Sequence, residues 1–102
     1  MIIIEVPDMN DSVSTISIEN IRYRIRFTYN ATYDYWNFGI EDSDGEPIVE
    51  MTKIVPNYPL MFFYEDWYLA NGTFACISDL EKVGRDDFKN GLAKFVYLAY
   101  DE

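Results

Sequence analysis

Residues 21–41 hold the strictest pattern in this 102-residue chain, and any fold has to accommodate it. Ile21, Tyr23, Ile25, Phe27 and Tyr29 alternate with Arg22, Arg24, Arg26 and Thr28. A period of two puts the first set on one face of a strand and the second on the other. After Asn30, Ala31 and Thr32 the alternation resumes, with Trp36, Phe38 and Ile40 set between Asn37, Gly39 and Glu41. Two such strands joined by a short polar break pair antiparallel. One face must be buried, and a row of arginines is left on the other.

The rest of the chain extends this pair. Residues 2–6 form an apolar run stopped by Pro7-Asp8, which suits an edge strand because proline donates no hydrogen bond to a central ladder. Asn10-Asp11-Ser12 is turn chemistry, residues 13–18 alternate modestly, and Glu19-Asn20 reads as a tight turn into the arginine strand, so that the first three strands form a meander. Asp44-Gly45, within 41–46, marks a hairpin, and the strand that Pro47 opens over 48–55 pairs back on 36–40 until Pro56, Asn57 and Pro59 end it. In 58–69, Leu60, Phe63, Tyr64 and Trp67 fall at helical spacing behind Pro59, which predicts a short helix; the other reading is a strand with an exposed aromatic patch.

Asn71-Gly72 is a further turn, 73–78 a strand, and 79–90 a polar connection with a single turn at Asp86-Asp87-Phe88. Residues 92–100 are apolar on both faces apart from Lys94, as expected of a strand in the middle of a sheet or barrel, and should pair with the N-terminal strand to close the structure. The whole is expected to be one domain over residues 1–102, mainly β, a small antiparallel β-barrel or sandwich with one short helical segment. An aromatic share of 18 % agrees, since aromatic rings pack well across pleated sheets.

Several functions lack their chemistry here. The chain has no histidine, hence neither the commonest general base nor the commonest metal ligand. The single cysteine, Cys76, sits in the apolar run 73–77 and reads as core. Asp42 with Asp44, Glu65 with Asp66 and Asp86 with Asp87 read as surface carboxylates in turns. Asp42-Ser43-Asp44-Gly45 is similar to a piece of a calcium loop but lacks the later ligands, so it reads as a hairpin turn. No catalytic, cofactor-binding or metal-binding residue is expected. A formal charge of −10 argues against nucleic acid or an anionic membrane as partner, since both need a basic footprint. Neither a signal-peptide start nor a run of transmembrane length is read, which suits a reducing cytoplasm and makes the sequons at Asn10, Asn30 and Asn71 chance matches.

Two groups remain as candidate contacts. Arg22, Arg24 and Arg26 either pair across the sheet with acids such as Glu41 or Glu50 or form a face for an acidic partner. Tyr64, Trp67 and Tyr68 are a core aromatic cluster, an interface anchor or a sugar-stacking platform.

Taken in order, Val6-Pro7-Asp8, Arg26-Phe27-Thr28-Tyr29-Asn30 at the end of the first aromatic strand, the Trp36 strand, Asp44-Gly45-Glu46-Pro47-Ile48, Leu60, Gly72-Thr73-Phe74, Asp86-Asp87-Phe88 and residues 92–97 resemble the small phage tail family named for the cyanophage baseplate plug. The chain departs from that pattern at Ala70-Asn71-Gly72, where a proline before the glycine is expected, and at Phe88-Lys89, where Leu-Gly is more familiar. The resemblance implies a non-enzymatic structural component of a contractile phage or prophage tail, docked at the baseplate hub near the tube end. It implies no catalytic residues. Its partners would be other baseplate or hub proteins, with a homo-oligomer open, and its place the virion tail after synthesis in the bacterial host cytoplasm. The alternative from another class is a small acidic phage inhibitor that mimics nucleic acid, of the anti-restriction or anti-CRISPR type. A third, a carbohydrate-binding module, requires exposed coplanar Trp67 and Tyr68.

Overall fold

The computed structural model of the chain describes residues 1–57 and 72–99. They form seven strands: β1 (Ile2–Ile4), β2 (Asp11–Ile18), β3 (Ile21–Asn30), β4 (Tyr35–Asp42), β5 (Pro47–Lys53), β6 (Gly72–Ser78) and β7 (Ala93–Ala99). One sheet has the order β2-β3-β4-β5 and the other the order β1-β7-β6, all pairs antiparallel.

Local chemistry sets the first sheet. Glu19 and Asn20 both take positive φ, 54° and 68°, the two-residue turn whose twist matches that of the flanking strands. Ile18 therefore faces Ile21, and the register runs unbroken to Asp11 opposite Thr28. Between β3 and β4 the Asn30 Oδ1 accepts the backbone N–H groups of Thr32 (3.0 Å) and Tyr33 (3.1 Å), and Asp34 takes φ 56°. At the β4–β5 hairpin Asp42 Oδ1 accepts from the N–H groups of Asp44 and Glu46, both at 2.9 Å, while Gly45 supplies φ 86°. The expected Asp-Gly hairpin is there, organised by the aspartate that precedes it.

The second sheet joins distant parts of the chain. β7 is its central strand, with β1 on one side and β6 on the other, so the doubly apolar run pairs with the N-terminal strand as its composition predicts. The meander differs from expectation: it comprises β2 to β5, and β1 lies in the other sheet. β1 stops at Ile4, which faces Phe95 in the core, and residues 5–10, with Pro7 unable to extend the strand, carry the chain across to β2. The strand expected over 48–55 ends at Lys53, and Leu92 is an exposed residue before β7. The turn near Asp86 is present, with the Asn90 N–H bonded to the Asp86 carbonyl at 2.9 Å. The helix expected within 58–69 lies outside the described residues, among which no helix occurs. No ladder among the described residues joins the two sheets into a closed barrel.

What joins them is side-chain packing. Phe27 and Phe38 of the first sheet meet Phe74 and Phe95 of the second, with ring centroids 5.1 Å apart for Phe27–Phe95, 5.0 Å for Phe38–Phe95 and 5.7 Å for Phe38–Phe74. All four are essentially inaccessible to solvent, as are Trp36, Ile25 and Ile40. Each buried ring contributes roughly 1.5–3 kcal/mol by leaving water. Tyr97 lies against Phe74 (5.4 Å) and across Gly72, which has no side chain to obstruct it. Cys76 belongs to this layer, and burial pushes its thiol up to about 11, so it stays neutral. It packs as a small apolar residue, as its sequence context predicts.

Candidate functional site

The arginine row occupies the outer face of the four-stranded sheet. On β3, Tyr23, Ile25 and Phe27 are buried while Arg22, Arg24 and Arg26 are exposed. Arg24 stands opposite Glu41 of β4, with Nε 3.5 Å from Oε1. Arg26 reaches the other way, donating from Nε to Asp11 Oδ1 at 2.9 Å and from Nη2 to Asp11 Oδ2 at 2.6 Å. Glu41 is one of the partners expected from sequence; Asp11, which is diagonal across β2, is not. Arg22 has no ion pair among the described residues. These pairs are about half-exposed and contribute roughly 0–1 kcal/mol each, so they orient the guanidinium groups without removing them from solvent.

Next to the row the sheet is indented. Gly39 carries no side chain, Met51 Sδ lies 2.7 Å from where a Cβ would stand, and the β4–β5 register shifts on either side of Ile40. Asp11, Val13, Arg26, Gly39, Glu50 and Met51 border the resulting groove. Val13 and Met51 leave apolar surface open beside the guanidinium groups. Tyr64, Trp67 and Tyr68 lie outside the described residues.

A second cluster, at the end where 7–10, 31–34 and 79–92 meet, escaped the sequence reading. Arg85 lies over the rings of Trp36 (5.4 Å to the centroid) and Tyr29 (5.9 Å), within cation–π range. Its Nε donates to Asn10 Oδ1 at 2.5 Å, and its Nη1 is 3.0 Å from Asp8 and 3.6 Å from Asp86. The Trp36 indole N–H donates to the Gly84 carbonyl at 3.1 Å, the Gly84 N–H donates to Asp87 Oδ2 at 2.5 Å, and Phe88 packs on Trp36 at 6.0 Å. Tyr29 donates its hydroxyl proton to Asp34, to which Lys82 also pairs at 3.4 Å. Val83 is buried, and with Phe88 it anchors the loop in the core.

Asp8 and Asn10, Tyr29 and Trp36, and Asp86, from three separate parts of the chain, thus converge on Arg85. Tyr29 and Trp36 were legible as strand residues, whereas Arg85 lies in a loop, where no periodicity marks it.

The electrostatics are those of a clamp. Hydrogen bonding from Arg85, then from Lys89, holds the Asp8 carboxyl below its ordinary 3.8; the Arg26 hydrogen bond does the same for Asp11, and the Tyr29 hydroxyl for Asp34. The Asp34 carboxylate in turn raises Tyr29. Among the described residues no group of three or more acids or cysteines is placed to hold a metal ion.

A carboxyl whose value is depressed on folding stabilises the fold above its unfolded value, and that contribution is lost as pH falls through the folded one. Stability should therefore decline below 3.8. Asp8→Asn combined with Asp34→Asn should make the decline shallower while lowering stability at neutral pH. Urea midpoints followed from neutral pH to about pH 2 check this; an equally steep acid decline in the double variant would discard the assignment.

A family model described as "Cyanophage baseplate Pam3 plug gp18" matches the chain over residues 1–102. A search of curated proteins returned no match.

Proposed function

This chain belongs to the cyanophage baseplate plug family, and from that premise we propose that it docks at the hub, near the tube end, of a contractile phage or prophage tail, using its arginine face. A structural part of the phage tail baseplate is what the family describes, and the match over the whole of residues 1–102 is the observation that carries the reading. The protein acts by assembly and performs no catalysis, its partners are other baseplate or hub proteins, and it is made in the host cytoplasm before entering the virion.

The contact assignment rests on chemistry. Arg22 has no intramolecular ion pair among the described residues, and the Arg24 side chain stays 47 % exposed beside Glu41. A surface pair that weak exchanges readily for an acidic partner group. Tyr64, Trp67 and Tyr68 are carried as contacts by residue type alone, as rigid aromatic anchors. Of the chain's 18 acids, Asp8, Asp11, Asp34, Glu41 and Asp86 are drawn into pairs with cations, which takes those five out of the phosphate-like array that a nucleic-acid mimic needs.

Arg24→Glu together with Trp67→Ala is expected to weaken incorporation into baseplates by roughly tenfold or more, about 1.4 kcal/mol or above, while the domain remains folded. Quantifying the protein in purified particles, beside a thermal melt of the isolated chain, checks this. Unchanged incorporation by a folded variant would remove both faces as contacts.

A further inference from the structure

The two sheets have four outer edges, and three are guarded. β5 starts with Pro47, is bulged against β4 and carries Glu50 and Lys53. β1 has only three residues. Along β6, the Asn57 N–H bonds to the Cys76 carbonyl at 2.6 Å and the Asn57 side chain exchanges hydrogen bonds with the Ser78 backbone. These are the usual devices that stop a sheet from growing.

β2 has none of them. Asp11–Ile18 is eight residues long, in unbroken register with β3, without proline, lysine or bulge, and its one charge lies at its first residue. Nothing among the described residues pairs along its outer edge. Val13 is 54 % exposed, and Ser14 and Ile16 stay partly exposed although they face the core.

The direction of the unused backbone groups follows from the register. The two-residue turn makes Ile18–Ile21 a hydrogen-bonded pair, and the Tyr29 N–H bonded to the Asn10 carbonyl at 2.8 Å shows the same phase at the other end. The even-numbered residues of β2 thus bond to β3. Asp11, Val13, Thr15 and Ser17 aim their N–H and C=O groups away from the sheet.

We propose that β2 pairs antiparallel with β2 of a second copy of this chain about a two-fold axis at Ser14, merging two four-stranded sheets into one of eight. That register places Asp11 opposite the second copy's Ser17 and Val13 opposite its Thr15, and it satisfies all the outward backbone groups. On the inner face Ser12 meets Ile16, covering its exposed remainder.

Charge selects this occupant. On a chain of net charge −10, β2 is an edge with one acid, and the two-fold axis sends the two Asp11 residues to opposite ends of the pairing. Ser17 faces Arg22 across β3. The pairing therefore sets Arg22, which has no ion pair among the described residues, two strands, about 10 Å, from Asp11 of the other copy, within reach of an extended arginine side chain. Each contact occurs twice, as a two-fold interface requires.

The inference does not depend on the baseplate reading, and the purified chain alone tests it. Sedimentation equilibrium should find a dimer, and hydrogen exchange should find the Val13, Thr15 and Ser17 amides protected. Thr15→Pro removes an N–H that the monomer does not use, and Val13→Lys places a charge at the seam; each should weaken dimerisation by at least about tenfold, and Arg22→Glu should weaken it several-fold, with thermal unfolding of the monomer retained. Should Thr15→Pro fail to fold, Val13→Lys decides. A wild-type chain that is monomeric up to about 1 mM overturns the proposal. So does a dimer indifferent to Val13→Lys, or protection of those amides only when another baseplate protein is added.

Discussion

Phe95→Ala is expected to cost about 3–5 kcal/mol, enough to leave a domain of this size marginal or unfolded. Phe95 is the ring on which both sheets converge: it meets Phe27 edge-on at 5.1 Å, Phe38 at 5.0 Å and Phe74 stacked at 5.7 Å, and it is 1 % exposed. No backbone ladder among the described residues crosses from one sheet to the other, so a cavity at this point weakens the layer that holds them together. Each kcal/mol moves the melting temperature of such a domain by roughly 4–8 °C. A thermal or urea melt of Phe95→Ala against Phe95→Leu reads the effect, with leucine retaining more than half of the lost stability. A loss of under about 1 kcal/mol for alanine would mean that the ring layer is not what joins the sheets.

Gly72→Ala is expected to lose about 3 kcal/mol for the addition of one methyl group. A Cβ at Gly72 would collide with the Tyr97 ring and come within 2.5 Å of the Leu98 carbonyl. The carbonyl belongs to the central strand of its sheet, so relief requires moving backbone and not only a side chain. Gly39→Ala supplies the contrast, because the nearest atom there is the flexible Met51 Sδ at 2.7 Å. The melting temperature of Gly72→Ala should fall well below that of Gly39→Ala. Equal melting temperatures would show that Tyr97 and β7 accommodate the methyl group, and the close approach would then have no structural weight.

The strands that could be read from sequence are those whose local pattern and tertiary surroundings agree. The alternation through Tyr23, Ile25 and Phe27 gives a strand because one of its faces lies on the ring layer. Glu19-Asn20 and Asp44-Gly45 give hairpins because backbone conformation is decided there by the residues themselves. β1 is different. Three isoleucines in a row contain no period and no register, and their place beside β7 follows from what β7 offers, an apolar central position. The pairing of Arg26 with Asp11 was hidden because it is diagonal, and diagonal partners depend on register, which alternation alone does not specify. Arg85 was hidden more completely. Asn10, Tyr29 and Trp36 are gathered by the first sheet alone, but Arg85 reaches them from the connection between β6 and β7, so the contact exists only once both sheets have formed.

The two sheets also differ in what their closure costs the chain. Within β2 to β5 each strand pairs with the next one along the sequence, across turns of a few residues. The other sheet includes Ile2 facing Tyr97, nearly the whole described chain apart. Because closure entropy grows as the logarithm of the loop, that one pairing carries roughly 3 kcal/mol more ordering cost than a tight turn does. Three residues of ladder cannot offset it. The faces of Ile4 and Phe95 turned toward the rings of the first sheet do so instead, and the four-stranded meander is thereby the template on which the ends of the chain are brought together.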